Sequence, residues 1–531
     1  MTAGEVRDLL MRREEVVIAD VREEAAFATG HPLWAANFPL SRLELDAWRR
    51  IPRRDTPIAV YGDGAARAIG VLRGLGYGRV HELAGGLDGW TASGGEIFQD
   101  VNAPSKAFGE LVASVAGTPS LTAQDVKALI DAGTPPVVVD ARPFDEFRTM
   151  SIPTATSMPG AELVLRIREL APDPATPVVV NCAGRTRSII GAQSLINAGL
   201  PNPVAALRNG TIGWTLAGQR LDHGAARTAP LAVTPPHHAL AASGARAVAE
   251  RAGVTFVPAR DLPGLRRPDR TTYVFDVRTA AEYARGHLDG ARHAPGGQLV
   301  QETDHYAPVR GARIVAVDDD GVRAAMTGSW LAQMGWEVYA VSPAELLTRP
   351  AAEPPPHPEP PPHPPPPPVD TVDAATLRAW LADGSATVID VGPSRDYATG
   401  HIPGAWYAAR ALLPAALATL GAAPRYVLTS PTGLLARFAT ADLRHRAPAF
   451  ALEGGTAAWR FPLETAEARY AVPPADRYRR PYEGTDNPRE AMAAYLEWEF
   501  GLVEQLERDG THHFKVLDHV PSLSRYNLPF D

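Results

Sequence analysis

The chain of 531 residues contains a single cysteine, Cys182. One thiol excludes an internal disulfide and any zinc site that needs two thiolates, and it fits a protein of a reducing compartment. Long apolar runs are missing as well. The most apolar stretch, Ala408 to Leu428, is broken by Arg410, Pro414, Pro424 and Arg425, so no membrane span is expected. Charges are scattered through the first twenty residues, where a secretion signal needs an unbroken apolar core. A cytoplasmic protein is the expectation. Nor is there an excess of basic residues: 52 Lys and Arg stand against 60 Asp and Glu, a net charge of -8, and no broad footprint for nucleic acid results.

What the chain does have is repetition, at a length that allows three to five domains. Four times a short β-branched or apolar run ends in Asp, followed two residues later by Arg or, in the last copy, Gly: Asp20 in VIADVRE, Asp140 in VVVDARP, Asp276 in YVFDVRT and Asp390 in TVIDVGP. A second landmark follows each Asp, with His31, Ser151, His287 and His401 at its start. A third ends in Trp90, Trp214 and Trp459 in repeats one, two and four, and is missing from repeat three. Within a repeat, apolar runs of four or five residues alternate with segments of helical spacing. That alternation predicts a parallel sheet covered on both faces, a small α/β domain.

Repeat boundaries are expected at 1–103, 118–228, 238–350 and 370–466. Between the third and fourth lies a linker, 351–369, whose core EPPPHPEPPPHPPPPP predicts an extended polyproline spacer. The tail, 467–531, has no counterpart in the repeats. Asn487-Pro488-Arg489-Glu490 predicts a helix start, and Met492, Leu496, Leu502, Val503 and Leu506 predict one apolar face running to about Gly510.

Cys182 follows the strand PVVVN and precedes AGRTRS at the start of a predicted helix. Backbone N–H groups and the positive helix end at such a turn favour the thiolate, the nucleophilic form. Arg185 and Arg187 add two fixed charges on the same loop, and Arg142 and Arg148 lie in a neighbouring segment from which they could reach an anionic donor. At the Cys182 position the other repeats are read as having Gly62, Asp319 and Ser430, so three domains lack the nucleophile. Those three are expected to be scaffold or partner-binding domains.

Taken together, the D-x-R strand, the G-H-I-P-G-A segment of His401, the C-x4-R loop and the glycine-containing segment before each Trp resemble the rhodanese family of sulfurtransferases. The resemblance covers four tandem domains and leaves the helical tail outside. It implies that Cys182 carries a sulfane sulfur as a persulfide, with Ala183, Gly184, Arg185, Thr186 and Arg187 completing the substrate loop. A small-molecule donor, with thiosulfate favoured over 3-mercaptopyruvate, and a thiol or cyanide acceptor are implied, without metal or organic cofactor. A persulfide relay or scaffold with a dedicated protein partner is the alternative. Phosphatase chemistry is less expected, because it uses a C-x5-R loop one residue longer. Repeat two departs from the pattern in having Met150-Ser151 in place of Gly-His and Thr154 in place of Gly.

Overall fold

The computed structural model describes residues 1–341, 363–465 and 468–518. Residues 353–362 of the expected spacer lie outside the described residues. Each repeat forms its own parallel sheet. In the second, the strands lie in the order Ser120–Leu121, Val204–Leu207, Val178–Asn181, Val137–Asp140, Thr156–Ser157. All their pairings are parallel. The third and fourth repeats repeat this order. The first has four strands, Ala35–Asn37, Val17–Asp20, Ile58–Tyr61 and Val80–Glu82, and among its described residues no edge strand matches Ser120–Leu121.

The apolar run of the central strand is buried on both sides, as a parallel sheet requires. Val179 joins Val138, Phe147, Ala205 and Trp214 on one face, while its neighbours Val178 and Val180 join Leu163, Ile167, Ile189 and Leu195 on the other. The second of these cores is continuous with those of repeats one and three. Repeat four keeps separate cores, and is tied to repeat one by Arg410, which pairs with Glu44 at 2.7 Å.

The landmarks are structural fixings. Each of the first three Asp residues holds the Arg two positions on in an ion pair: Asp20 with Arg22, Asp140 with Arg142 and Asp276 with Arg278. In the fourth repeat Gly392 supplies no cation, and burial pushes the Asp390 carboxyl up to about 6. The histidines stack on aromatic rings, His31 on Phe27, His287 on Tyr283 and His401 on Tyr397. Trp214, fully buried, donates its indole N–H to the Arg220 carbonyl at 2.8 Å.

Thr154 occupies the left-handed region at φ 71°, where the corresponding Gly290 and Gly404 have φ 72° and 76°. A β-branched residue there costs on the order of 1–2 kcal/mol. Thr154→Gly is therefore expected to raise stability by about 1 kcal/mol, allowing for the extra freedom that glycine gives the unfolded chain. A urea midpoint that fails to rise would contradict the strain.

The tail is not one helix. It forms Arg489–Phe500 and Leu502–Asp509, broken at Gly501, and Pro488 precedes the first without a side-chain cap, because the Asn487 amide turns back to donate to the Glu483 carbonyl. The break lets the halves face different surfaces. Met492, Tyr495 and Leu496 pack on repeat two, while Leu502 and Leu506 enter the large shared core. Val503 is only half-buried. Beyond them, the Lys515 N–H donates to the Gln333 carbonyl of repeat three at 2.8 Å.

Candidate active site

Cys182 is the first residue after the strand Val178–Asn181, and the loop it opens runs into the helix Thr186–Asn197. The loop is held from beneath. The Thr211 N–H and hydroxyl both donate to the Cys182 carbonyl, at 2.8 and 3.0 Å, and the Ile212 N–H donates to the Ala183 carbonyl at 2.9 Å. Asn181 bridges to the buried Asp140 carboxylate at 2.8 Å and to Thr211 at 3.2 Å.

Asn209 and Gly210, in the third landmark, both adopt positive φ. A Cβ on Gly210 would lie 2.4 Å from the Cys182 carbonyl oxygen and 2.6 Å from that of Gly184. No side chain fits there without moving the loop. Gly210→Ala is thus expected to lower kcat by about a hundredfold, the usual cost of an ångström-scale misplacement of reacting groups. Turnover within twofold of the parent, in a folded variant, would contradict this placement.

Both loop cations have carboxylate partners that the sequence did not reveal. Arg185 forms a double hydrogen bond with Glu110 at 2.7 Å each and donates to the Asn209 side chain at 3.1 Å. Glu110 lies on the buried helix Ala103–Ala116, between repeats one and two. Arg187 pairs in the same forked way with Glu146, at 2.9 Å each. Arg142 is 1% exposed, its guanidinium shared between Asp140 and the Met150 carbonyl. Arg148 is exposed at the C-terminal end of the helix Phe144–Thr149. Thr186 is buried, with its Cγ2 2.9 Å from the position of a Cβ on Gly109.

Cys182 itself is 1% exposed. The expected lowering of its pKa is not what the closed site produces: burial pushes the thiol up, and the charge of Arg187 with the Ser188 hydroxyl and N–H works against that. Among the described residues no group of three or more His, Cys, Asp or Glu is placed to hold a metal ion.

The sister loops show what this turn is built to hold. The register pairs Asp140 with Asn181, Asp20 with Tyr61, Asp276 with Val317 and Asp390 with Thr429. The next residues are Cys182, Gly62, Asp318 and Ser430, so the third counterpart is Asp318, not Asp319. Three aspartates in a row left that register open in the sequence. The Asp318 carboxyl accepts from the Gly321 and Ala324 N–H groups at 3.1 and 2.8 Å, and the Ser430 hydroxyl accepts from the Ala436 N–H at 3.2 Å. Ala324 and Ala436 lie six residues beyond those side chains, as Ser188 does beyond Cys182. In these sister loops the turn points backbone N–H groups at an oxygen acceptor, and in repeat two the Ser188 N–H and hydroxyl face Cys182.

The tail covers the loop. A Cβ on Gly184 would lie 3.3 Å from the Tyr495 ring and 3.4 Å from Glu499 Oε2. Tyr482, Met492, Tyr495 and Leu496 form a buried cluster with Ala183 and Ile212, and the Phe500 ring lies 4.3 Å from the Arg185 guanidinium. Burial pushes the Glu499 carboxyl up to about 7.

Four segments of the chain, residues 2–93, 122–217, 263–342 and 373–461, match the family model of the rhodanese-like domain. The crystal structure of a thiosulfate sulfurtransferase from Pseudomonas aeruginosa is 57% identical, with a TM-score of 0.92, over 97% of this chain and 99% of that one. The Alr3790 protein from Anabaena sp. is 30% identical over 19% of this chain and 93% of its own length, with a TM-score of 0.18. No described helix is long and apolar enough to cross a membrane. The matched segments cover more than half of the sequence and coincide with the four parallel sheets, and the chain belongs to the rhodanese-like family.

Proposed function

We propose that the protein is a sulfurtransferase that moves a sulfane sulfur from an anionic donor, with thiosulfate favoured, to a thiophilic acceptor through a persulfide on Cys182. The observation that carries this reading is the turn at position 182, where the Ser188 N–H and hydroxyl face the thiol and the equivalent N–H groups of two sister loops hold an acceptor side chain. In the sister loop such groups hold the carboxyl of Asp318, and in repeat two the same position is a cysteine. The likeness to a thiosulfate sulfurtransferase along nearly the whole chain supports the choice of donor.

In the first half-reaction the Cys182 thiolate attacks the outer sulfur of thiosulfate. The new S–S bond forms as the old one breaks, and its electron pair leaves with sulfite. Arg187 is the residue proposed to bind the donor's oxyanion. It feels the Cys182 charge, and among the described residues its hydrogen bonds run from Nη1 and Nη2 to Glu146, leaving N–H donors of the guanidinium for the donor. The Ser188 N–H and hydroxyl, which face the thiol, then donate to the anionic persulfide. In the second half-reaction a nucleophile takes the terminal sulfur and the bonding pair returns to Cys182. Alternation between two enzyme forms predicts ping-pong kinetics.

Arg185 adds positive charge at the loop, partly neutralised by Glu110. Ala183 and Gly184 carry no side chain that could obstruct the donor, and Thr186 opens the helix whose positive end faces the loop. Arg142 is proposed to act through Asp140, fixing the strand end from which the loop departs. Comparing kcat/KM for thiosulfate and 3-mercaptopyruvate tests the donor assignment: a preference for thiosulfate supports it, and a preference for the keto acid overturns it.

A further inference from the structure

Resting on the persulfide reading, we propose that the C-terminal segment is the acceptor filter of this enzyme. By sealing the Cys182 loop it restricts sulfur transfer to compact nucleophiles of the size of cyanide or hydrosulfide, and bars peptide-sized thiols. The seal is made of residues from outside repeat two, so the catalytic domain alone does not explain it.

The contacts enclose the loop from several sides. Tyr495 and Glu499 stand directly over Gly184, and Tyr482, Met492 and Leu496 close over Ala183 and Ile212. At one end of the covering helix, Arg489 donates to the carbonyls of Thr215 and Leu216 at 3.1 and 2.6 Å. At the other, Phe500 packs on the Arg185 guanidinium. Between them Lys106, buried and paired with Asp100 at 2.8 Å, has its ammonium 5.0 Å from the Tyr495 ring centroid and 5.4 Å from that of Trp498. Ala183 under this cover, and Cys182 beside it, are each 1% exposed.

The chemistry makes such a cover selective. An acceptor must approach the terminal sulfur along the S–S axis. Its lone pair forms the new bond to that sulfur, the S–S bond breaks, and the electron pair stays on Cys182. Cyanide leaves as thiocyanate, whereas a thiolate leaves as its own persulfide. A diatomic nucleophile is smaller than the sulfite that must leave the site in the first half-reaction, and thiosulfate, also compact, passes the same filter. Glutathione brings a tripeptide behind its sulfur, and that tripeptide needs the space now filled by Tyr495 and Glu499. It reacts only when the helix Arg489–Phe500 lifts. If that open form is a minor state of about 0.1–10%, glutathione transfer is slowed about 10- to 1000-fold relative to an open site.

The test loads the full chain with thiosulfate, removes excess donor, and follows discharge of the sulfur by cyanide and by glutathione at matched thiolate or cyanide-anion concentrations. Wild type should discharge to cyanide at least about tenfold faster, the lower bound for a minor open state. Arg489→Gln, which releases one end of the helix at an exposed site, and Tyr495→Ala, which removes the cover itself, should each raise the glutathione rate about tenfold by enlarging that population, with cyanide discharge held within about twofold. Equal wild-type rates for the two acceptors, or variants that leave the glutathione rate unchanged, overturn the filter. Failure to load any sulfur is a different result: it removes the persulfide reading on which the filter rests.

Discussion

Cys182→Ser abolishes sulfur transfer from thiosulfate to cyanide, with kcat expected to fall by at least about 10⁴-fold, as when a nucleophile is removed from a covalent mechanism. Serine is the informative replacement because repeat four already contains the arrangement. Ser430, buried, accepts from the Ala436 N–H within the same turn. The substituted hydroxyl should therefore be accommodated in repeat two, leaving the fold intact. The loss then reads on chemistry, since an alkoxide neither forms readily at neutral pH nor makes a stable bond to sulfane sulfur. An unchanged thermal midpoint together with lost turnover is the expected pair of results. Residual activity within tenfold of wild type would move the reaction away from Cys182, since no second cysteine exists to take it over.

The second large effect is expected at Arg187. Arg187→Gln should lower kcat/KM for thiosulfate by about 10²–10³-fold, the range found when one donor to a developing oxyanion is removed. The substitution also leaves Glu146 without its cation, and because its side chain is 37% exposed the stability loss is expected to fall well below the ~3–5 kcal/mol of a fully buried pair. The two effects separate in the double variant Glu146→Gln with Arg187→Gln. Removing both charges should restore most of the stability while leaving kcat/KM low. If the double variant regains activity along with stability, Arg187 serves only to hold the fold.

The sequence made the architecture legible because each landmark is a fixing point of the sheet. The Asp-x-Arg pair, the stacked histidine and the Trp that bonds back to a carbonyl each recur in three of the four copies, where they do the same structural work. The same property made Cys182 stand out, as the residue that differs where the surrounding turn is shared. What sequence could not supply were partners distant along the chain. Glu110 meets Arg185 across 75 residues, and Tyr495 and Glu499 reach Gly184 from the tail. Neither arrangement leaves a periodic or local signal.

Burial was hidden for a related reason. Two arginines on the Cys182 loop predict a positively charged turn that favours the thiolate, and only the tail and the helix Ala103–Ala116, packed around it, turn the loop into an enclosed site. That enclosure reverses the expected direction of the Cys182 pKa. The tail helix was anticipated, but as one rod. Gly501 breaks it because its two halves bury their apolar sides against different surfaces.

The reading as a whole turns on whether Cys182 accepts sulfur, and intact-mass measurement after thiosulfate treatment tests this most directly. The account predicts a species one sulfur atom heavier than the untreated chain, located on the peptide containing Cys182, discharged by cyanide, and missing from Cys182→Ser. A treated protein of unchanged mass that still turns over thiosulfate would contradict it.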